Sequence, residues 1–277
     1  AAGDAGGSLG AALALWHIEQ GNKRDIKSED NMKGSFLGSE YSQDQIEKEL
    51  KSIGANFETL NYEKLIDQTT ENLLKEKAIG WFQGRMEFGP RALGGRSIIG
   101  DPRSPDTQKN LNLKVKYRES FRPFAPSVLR EDVGEWFELN DDSPYMLIVS
   151  DIKKEKKNEM TEDEKKLFGI DKLNIKRSSI PAITHVDYSA RIQTVHKETN
   201  PKYYNLLNEF KKITGCPVLV NTSFNVRGEP IVCSIENAFN CFMGTNLDIL
   251  VIEDFILIKN DQDKSLINDY KNKFELD

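Results

Sequence analysis

Val218-Leu219-Val220-Asn221-Thr222-Ser223-Phe224-Asn225-Val226-Arg227-Gly228-Glu229-Pro230 reads as a short buried strand running into a loop of amides and hydroxyls. In an open sheet, ligands bind beyond the carboxyl ends of strands, which makes this loop a candidate binding element. A polar turn is the plainer explanation, so the surrounding chain has to decide. Upstream, residues 202–213 predict a helix; downstream, Ser234 caps a predicted helix over 235–243, and 247–252 is a second apolar strand. Further strands are predicted at 79–82, 98–99, 125–129, 145–149 and 191–195, with a helix over 105–116. Nearer the start, Ser42 and Gln45 form a capping box ahead of Ile46, Leu50 and Ile53, Gly54 ends that helix, and another follows over 62–75. Strands interleaved with helices in this way predict an α/β protein built on an open sheet.

With 277 residues and 38% of them hydrophobic, the chain has material for a sizeable core, on the scale of two typical domains. A net charge of -6 disfavours general nucleic-acid binding, since the chain as a whole repels a phosphate backbone. No apolar run approaches the ~20 residues of a membrane span. Cys216, Cys233 and Cys241 show no C-x-x-C spacing, which argues against a disulfide framework and fits a reducing cytoplasm. No two of His17, His185 and His196 are four residues apart, so no helix presents a two-histidine metal face.

Charge is unevenly spread. Nine basic and four acidic residues lie between Arg85 and Arg122, an excess of five positive charges inside a net-negative chain. A solvated basic face is the ordinary reading of such a run. Here the cations alternate with Gly84, Gly89, Pro90, Gly94, Gly95, Phe121, Pro123 and Phe124, a texture suited to a folded, partly buried loop. Arginine forks and lysine point charges in such a loop predict a phosphate or polyphosphate pocket. It is not a P-loop: Gly95-Arg96-Ser97 replaces the Gly-Lys-Ser/Thr ending, and Ile98-Ile99 continues as strand where a helix N-terminus is required. Residues 185–195 alternate polar and apolar groups, as a strand does when one face lines a site. The stretch 153–176, dense in Lys, Glu and Asp, predicts a solvated insertion. Asp4, in a glycine-rich turn before a helix, reads locally as an N-cap; the strand that usually precedes such a turn is missing, so the chain is expected to start inside a domain.

Gly3-Asp4-Ala5-Gly6-Gly7, the run from Gly84 to Gly94, Lys114-Val115-Lys116-Tyr117-Arg118-Glu119, Phe121-Arg122-Pro123-Phe124-Ala125-Pro126, the 185–195 strand and Asn221-Thr222-Ser223-Phe224-Asn225 together resemble the nodulation-type O-carbamoyltransferase family, in that family's order. The resemblance implies a C-terminal YrdC-like domain, an open, twisted, mixed α/β sheet over residues 77–277. Residues 1–76 would be a remnant of an actin-like (ASKHA, RNase H-like) transferase domain and its connection. It implies that the YrdC-like domain turns carbamoyl phosphate and ATP, the latter with Mg²⁺, into carbamoyladenylate, whose carbamoyl group passes to a hydroxyl of a small acceptor. On this chain the implied catalytic cations are Arg85, Lys114, Arg118, Arg122 and Arg191, and the implied nucleotide-binding residues are Lys116, Asn221, Thr222, Ser223 and Asn225. Asp4 matches a ligand of the family's transition metal, iron or zinc; its H-x-x-x-H partners have no counterpart here, so the metal is not expected to be held by this chain. Two other functions compete: a non-catalytic nucleotide or anion-binding module, and a threonylcarbamoyladenylate synthase-like enzyme of tRNA modification.

Overall fold

The computed structural model describes residues 3–26, 30–173, 175–267, 269–270 and 273–274. Among the described residues nine strands form one open mixed sheet in the order β1-β9-β8-β2-β3-β7-β4-β6-β5. They are β1 (Glu58–Thr59), β2 (Ile79–Phe82), β3 (Arg96–Gly100), β4 (Ala125–Leu129), β5 (Ile148–Asp151), β6 (Ser189–Val195), β7 (Val218–Ser223), β8 (Ile249–Ile252) and β9 (Phe255–Ile258). Only β2/β8 and β4/β6 pair in parallel; the other neighbours are antiparallel. Every residue of β2, β3, β4 and β8 is buried, so both faces of these strands are covered, and β8, Ile249-Leu250-Val251-Ile252, is the continuous apolar run that such a strand favours.

The helices are α1 (Asp4–Ala14), α2 (Gln43–Ser52), α3 (Tyr62–Leu74), α4 (Pro105–Lys114), α5 (Val133–Trp136), α6 (Glu162–Lys166), α7 (Gly169–Leu173), α8 (Pro201–Thr214) and α9 (Ile235–Gly244). Capping boxes start α2 at Ser42 with Gln45 and α9 at Ser234 with Asn237. Gly215, in the left-handed region, ends α8. The stripe Ile46, Leu50, Leu65 and Leu73 on α2 and α3 enters the same buried cluster as the sheet, so packing is continuous across residue 77. By contrast α1, and the π-helical turn Leu15–Glu19 that extends it, are largely exposed, with Trp16 and Ile18 open to solvent. Among the described residues no helix is long and apolar enough to cross a membrane.

Two expected strands are displaced. Residues 145–149 do not all extend: Met146 takes φ 55, so β5 begins only at Ile148. At 185–188 the chain turns, with Tyr188 at φ 65 and its N–H bonded to the His185 carbonyl, and Asp187 accepts the N–H of Ser189, where β6 begins. The acidic and basic insertion is exposed and tied down at its base, where Asn158 N–H meets Arg177 O at 2.7 Å and Ser179 N–H meets Lys156 O at 2.9 Å.

Candidate functional site

The loop between β2 and β3 folds around one carboxylate. Glu87 Oε1 accepts the N–H groups of Leu93 (2.7 Å), Gly95 (2.6 Å) and Arg96 (3.1 Å), curling residues 87–96 into a tight arch. Gly94 lies at φ 102, and the Tyr203 ring passes 2.4 Å from where a Cβ would stand, so no side chain fits there. The sheet pins the arch from below. Asn221 Nδ2 donates to Ala92 O at 3.0 Å, and Gln193 Nε2 donates to Leu93 O at 2.8 Å. Asn221 Nδ2 also donates to Gln193 Oε1, which Ser127 Oγ reaches at 2.5 Å, so three polar side chains from β4, β6 and β7 hold one another in the sheet interior. The carbonyls they clamp immediately follow Arg91.

Arg91 lines a cavity of about 160 Å³ together with Arg118, Arg191, Asn221, Thr222, Ser223 and Met146. The Nε atoms of Arg91 and Arg191 and the Oδ1 of Asn221 are buried without a hydrogen-bond partner among the described residues. Burial, and then the nearby Arg91 charge, hold the Arg191 guanidinium below its ordinary value. Among the described residues no carboxylate lines this cavity. Two half-buried guanidiniums with unpartnered Nε atoms crowd one cavity, an arrangement that a bound anion would stabilise.

A second, larger cavity of about 500 Å³ is walled by Lys116, Arg118, Arg122, Ser223, Asn225 and the turn 226–230. Arg118 and Ser223 line both cavities. Arg118 stacks 4.9 Å over Phe124 and donates to Asn112 Oδ1 at 2.6 Å; burial, then Arg122, push its guanidinium down. Lys116, 4% exposed, aims Nζ at Asn225 Oδ1 (2.7 Å), Asn225 O (2.9 Å), Ser223 Oγ (3.2 Å) and Ser223 O. Burial, with Arg118 adding to it, pushes the Lys116 ammonium down to about 7, while these oxygens favour the cation. Arg122 is half exposed and bonded to Glu119 at 2.9 Å.

Eight of the expected site residues therefore converge: Arg118, Arg122, Arg191, Lys116, Asn221, Thr222, Ser223 and Asn225. Two lie elsewhere. Arg85 pairs with Glu40 at 3.1 Å on the surface and lines neither cavity. Lys114, at the end of α4, faces a separate depression shared with Lys77 and Asp248. The Asp4 side chain falls outside the described residues, and among those residues no three His, Cys, Asp or Glu side chains converge as a metal site does. Arg91, Gln193 and Glu229 were not singled out from sequence; Arg91 stood in the basic run and Gln193 in the alternating strand.

Residues 70–259 match the family model for the carbamoyltransferase C-terminus. The whole chain is 56% identical to the uncharacterized protein sll1178 of Synechocystis, 46% of which it covers. Nodulation protein NolO of Bradyrhizobium diazoefficiens is 40% identical over 94% of the chain and 44% of its own length. A 3'-hydroxymethylcephem-O-carbamoyltransferase of Amycolatopsis lactamdurans is 36% identical over 60% of the chain and 28% of its own length. The chain thus spans less than half the length of these relatives.

Proposed function

The chain belongs to the carbamoyltransferase family, matching its C-terminal part, and on that premise we propose that it forms carbamoyladenylate from carbamoyl phosphate and ATP. The observation that carries this reading is the pair of unpartnered arginine Nε atoms in a small cavity that shares Arg118 and Ser223 with a larger basic one. The small cavity takes the phosphate of carbamoyl phosphate between Arg91 and Arg191. The larger one takes the triphosphate of ATP, entering with Mg²⁺ as its counter-ion, against Lys116, Arg118, Arg122 and the Ser223–Asn225 loop.

The proposed reaction balances in two steps. Water cleaves carbamoyl phosphate to carbamate and inorganic phosphate; a carbamate oxygen then attacks the α-phosphorus of ATP, and pyrophosphate leaves. One phosphate and one pyrophosphate depart per adenylate. Charge accumulates on the α-phosphoryl oxygens and on the leaving pyrophosphate, where Arg118, shared by both cavities, serves both ligands. In a longer protein that contained this chain the carbamoyl group would pass on to an acceptor hydroxyl, the transfer for which the 3'-hydroxymethylcephem-O-carbamoyltransferase is named.

Pyrophosphate release tests the assignment: it is expected with ATP plus carbamoyl phosphate, and not with ATP alone or with ATP, bicarbonate and threonine. Release only in the last mixture would mark a threonylcarbamoyladenylate-forming enzyme. Binding without release in any mixture would mark a non-catalytic anion module.

A further inference from the structure

Tyr270 lies beyond residue 259, where the family match ends, yet it is only 2% exposed and belongs to the buried cluster around the sheet. Its ring meets Phe274 edge-on at 5.3 Å. Its hydroxyl donates to Glu229 Oε1, and Glu229 Oε2 accepts the Val226 N–H at 2.8 Å. The main-chain oxygen of Glu229 accepts Asn225 Nδ2 at 2.6 Å, and Asn225 Oδ1 accepts from Ser223 Oγ at 2.6 Å and from Lys116 Nζ. A continuous line of hydrogen bonds therefore connects the C-terminal segment to the lysine of the larger cavity.

Among the described residues Glu229 is the one carboxylate that lines that cavity, which it shares with Lys116, Arg118, Arg122 and Arg227. A carboxylate free to swing would bond those cations itself and compete with an incoming anion. Both of its oxygens are instead drawn back, one to Tyr270 and one to its own turn. Burial pushes the Glu229 carboxyl up; Tyr270, the Val226 N–H, Lys116 and Cys241 hold it down.

We propose that Tyr270 is a positioning residue for the larger cavity: its hydroxyl restrains Glu229 against the 226–229 turn and so leaves the cations to the ligand's phosphates. The proposal rests on the anion-binding reading above, extending it to a segment outside the family match. Tyr270→Phe keeps the ring in the core and removes only the restraint. In the full chain, calorimetry with ATP and Mg²⁺ should show affinity reduced about ten-fold, one charge-assisted bond's worth, while carbamoyl phosphate affinity and melting temperature stay close to those of the parent. Glu229→Gln, which cannot compete as an anion, should rescue ATP binding when combined with Tyr270→Phe. Unchanged ATP affinity in Tyr270→Phe, additive losses in the double variant, or equal losses for both ligands with a lower melting temperature would each overturn the proposal. If the unsubstituted chain bound neither ligand, the anion-binding reading itself would fall, and this proposal with it.

Discussion

Arg91 and Arg191, far apart in sequence, line one small cavity with buried Nε atoms that find no acceptor among the described residues. Lysine at either position keeps the charge but loses the fork. Arg91→Lys and Arg191→Lys should each weaken carbamoyl phosphate binding by roughly ten- to a hundred-fold, from about 1.5–3 kcal/mol per lost charge-assisted bond. Melting temperature without ligand should hold or rise, because the substitution removes a buried Nε that has no hydrogen-bond partner among the described residues. Arg85→Lys and Lys114→Arg, outside both cavities, are the controls and should leave titrations unchanged. Equal losses in all four variants would mean that the cavity is not the site.

If the larger cavity takes a polyanion, Lys116 should make that binding depend on protons. In the folded chain its ammonium is pushed down to about 7 from 10.5, by burial first and then by Arg118, with Cys241 and Glu229 opposing. A base depressed in this direction is a cost to the fold that is full below about pH 7 and fades as pH rises toward the unfolded value of 10.5. A bound polyanion restores the charge, so ATP binding at pH 8 should take up protons and weaken as pH rises further. Titration in Tris and in HEPES, whose ionisation enthalpies differ, would reveal the uptake as different observed heats. Identical heats in the two buffers would contradict it.

Glu87 should matter more to stability than any exposed charge. Glu87→Ala leaves the N–H groups of Leu93, Gly95 and Arg96 without the carboxylate they share, and the arch that carries Arg91 without its anchor. At about 1–3 kcal/mol for each buried orphaned group, urea unfolding should report a loss of about 3 kcal/mol or more, with carbamoyl phosphate binding falling as well. A loss below about 1 kcal/mol would show that other bonds hold the arch.

Much of the sheet was legible because β2, β3, β4 and β7 are dense in β-branched or apolar residues and because Ser42 and Ser234 announce their helices with capping boxes. The beginnings of β5 and β6 were not, since a left-handed Met146 and a turn closed at Asp187 end the extended geometry that alternation alone would continue. At the site, Lys116, Arg118 and the 221–225 loop each showed their chemistry in the sequence, but only the family resemblance joined them in one site. The resemblance pointed to Arg85 and passed over Arg91, six residues on in the same basic run; what separates them is Glu87 folding the loop and Asn221 and Gln193 gripping the carbonyls that follow Arg91. Tyr270 gave no local sign, because its partner Glu229 comes from a turn on the far side of α9 in the chain.

The most direct measurement is mass spectrometry with ³¹P NMR on one quenched mixture of the chain, ATP, Mg²⁺ and carbamoyl phosphate. The account predicts a carbamoyladenylate mass together with inorganic phosphate and pyrophosphate in equal amounts, all lost in Arg118→Ala. Intact ATP beside unreacted or merely hydrolysed carbamoyl phosphate, at concentrations where calorimetry shows both ligands bound, would contradict it.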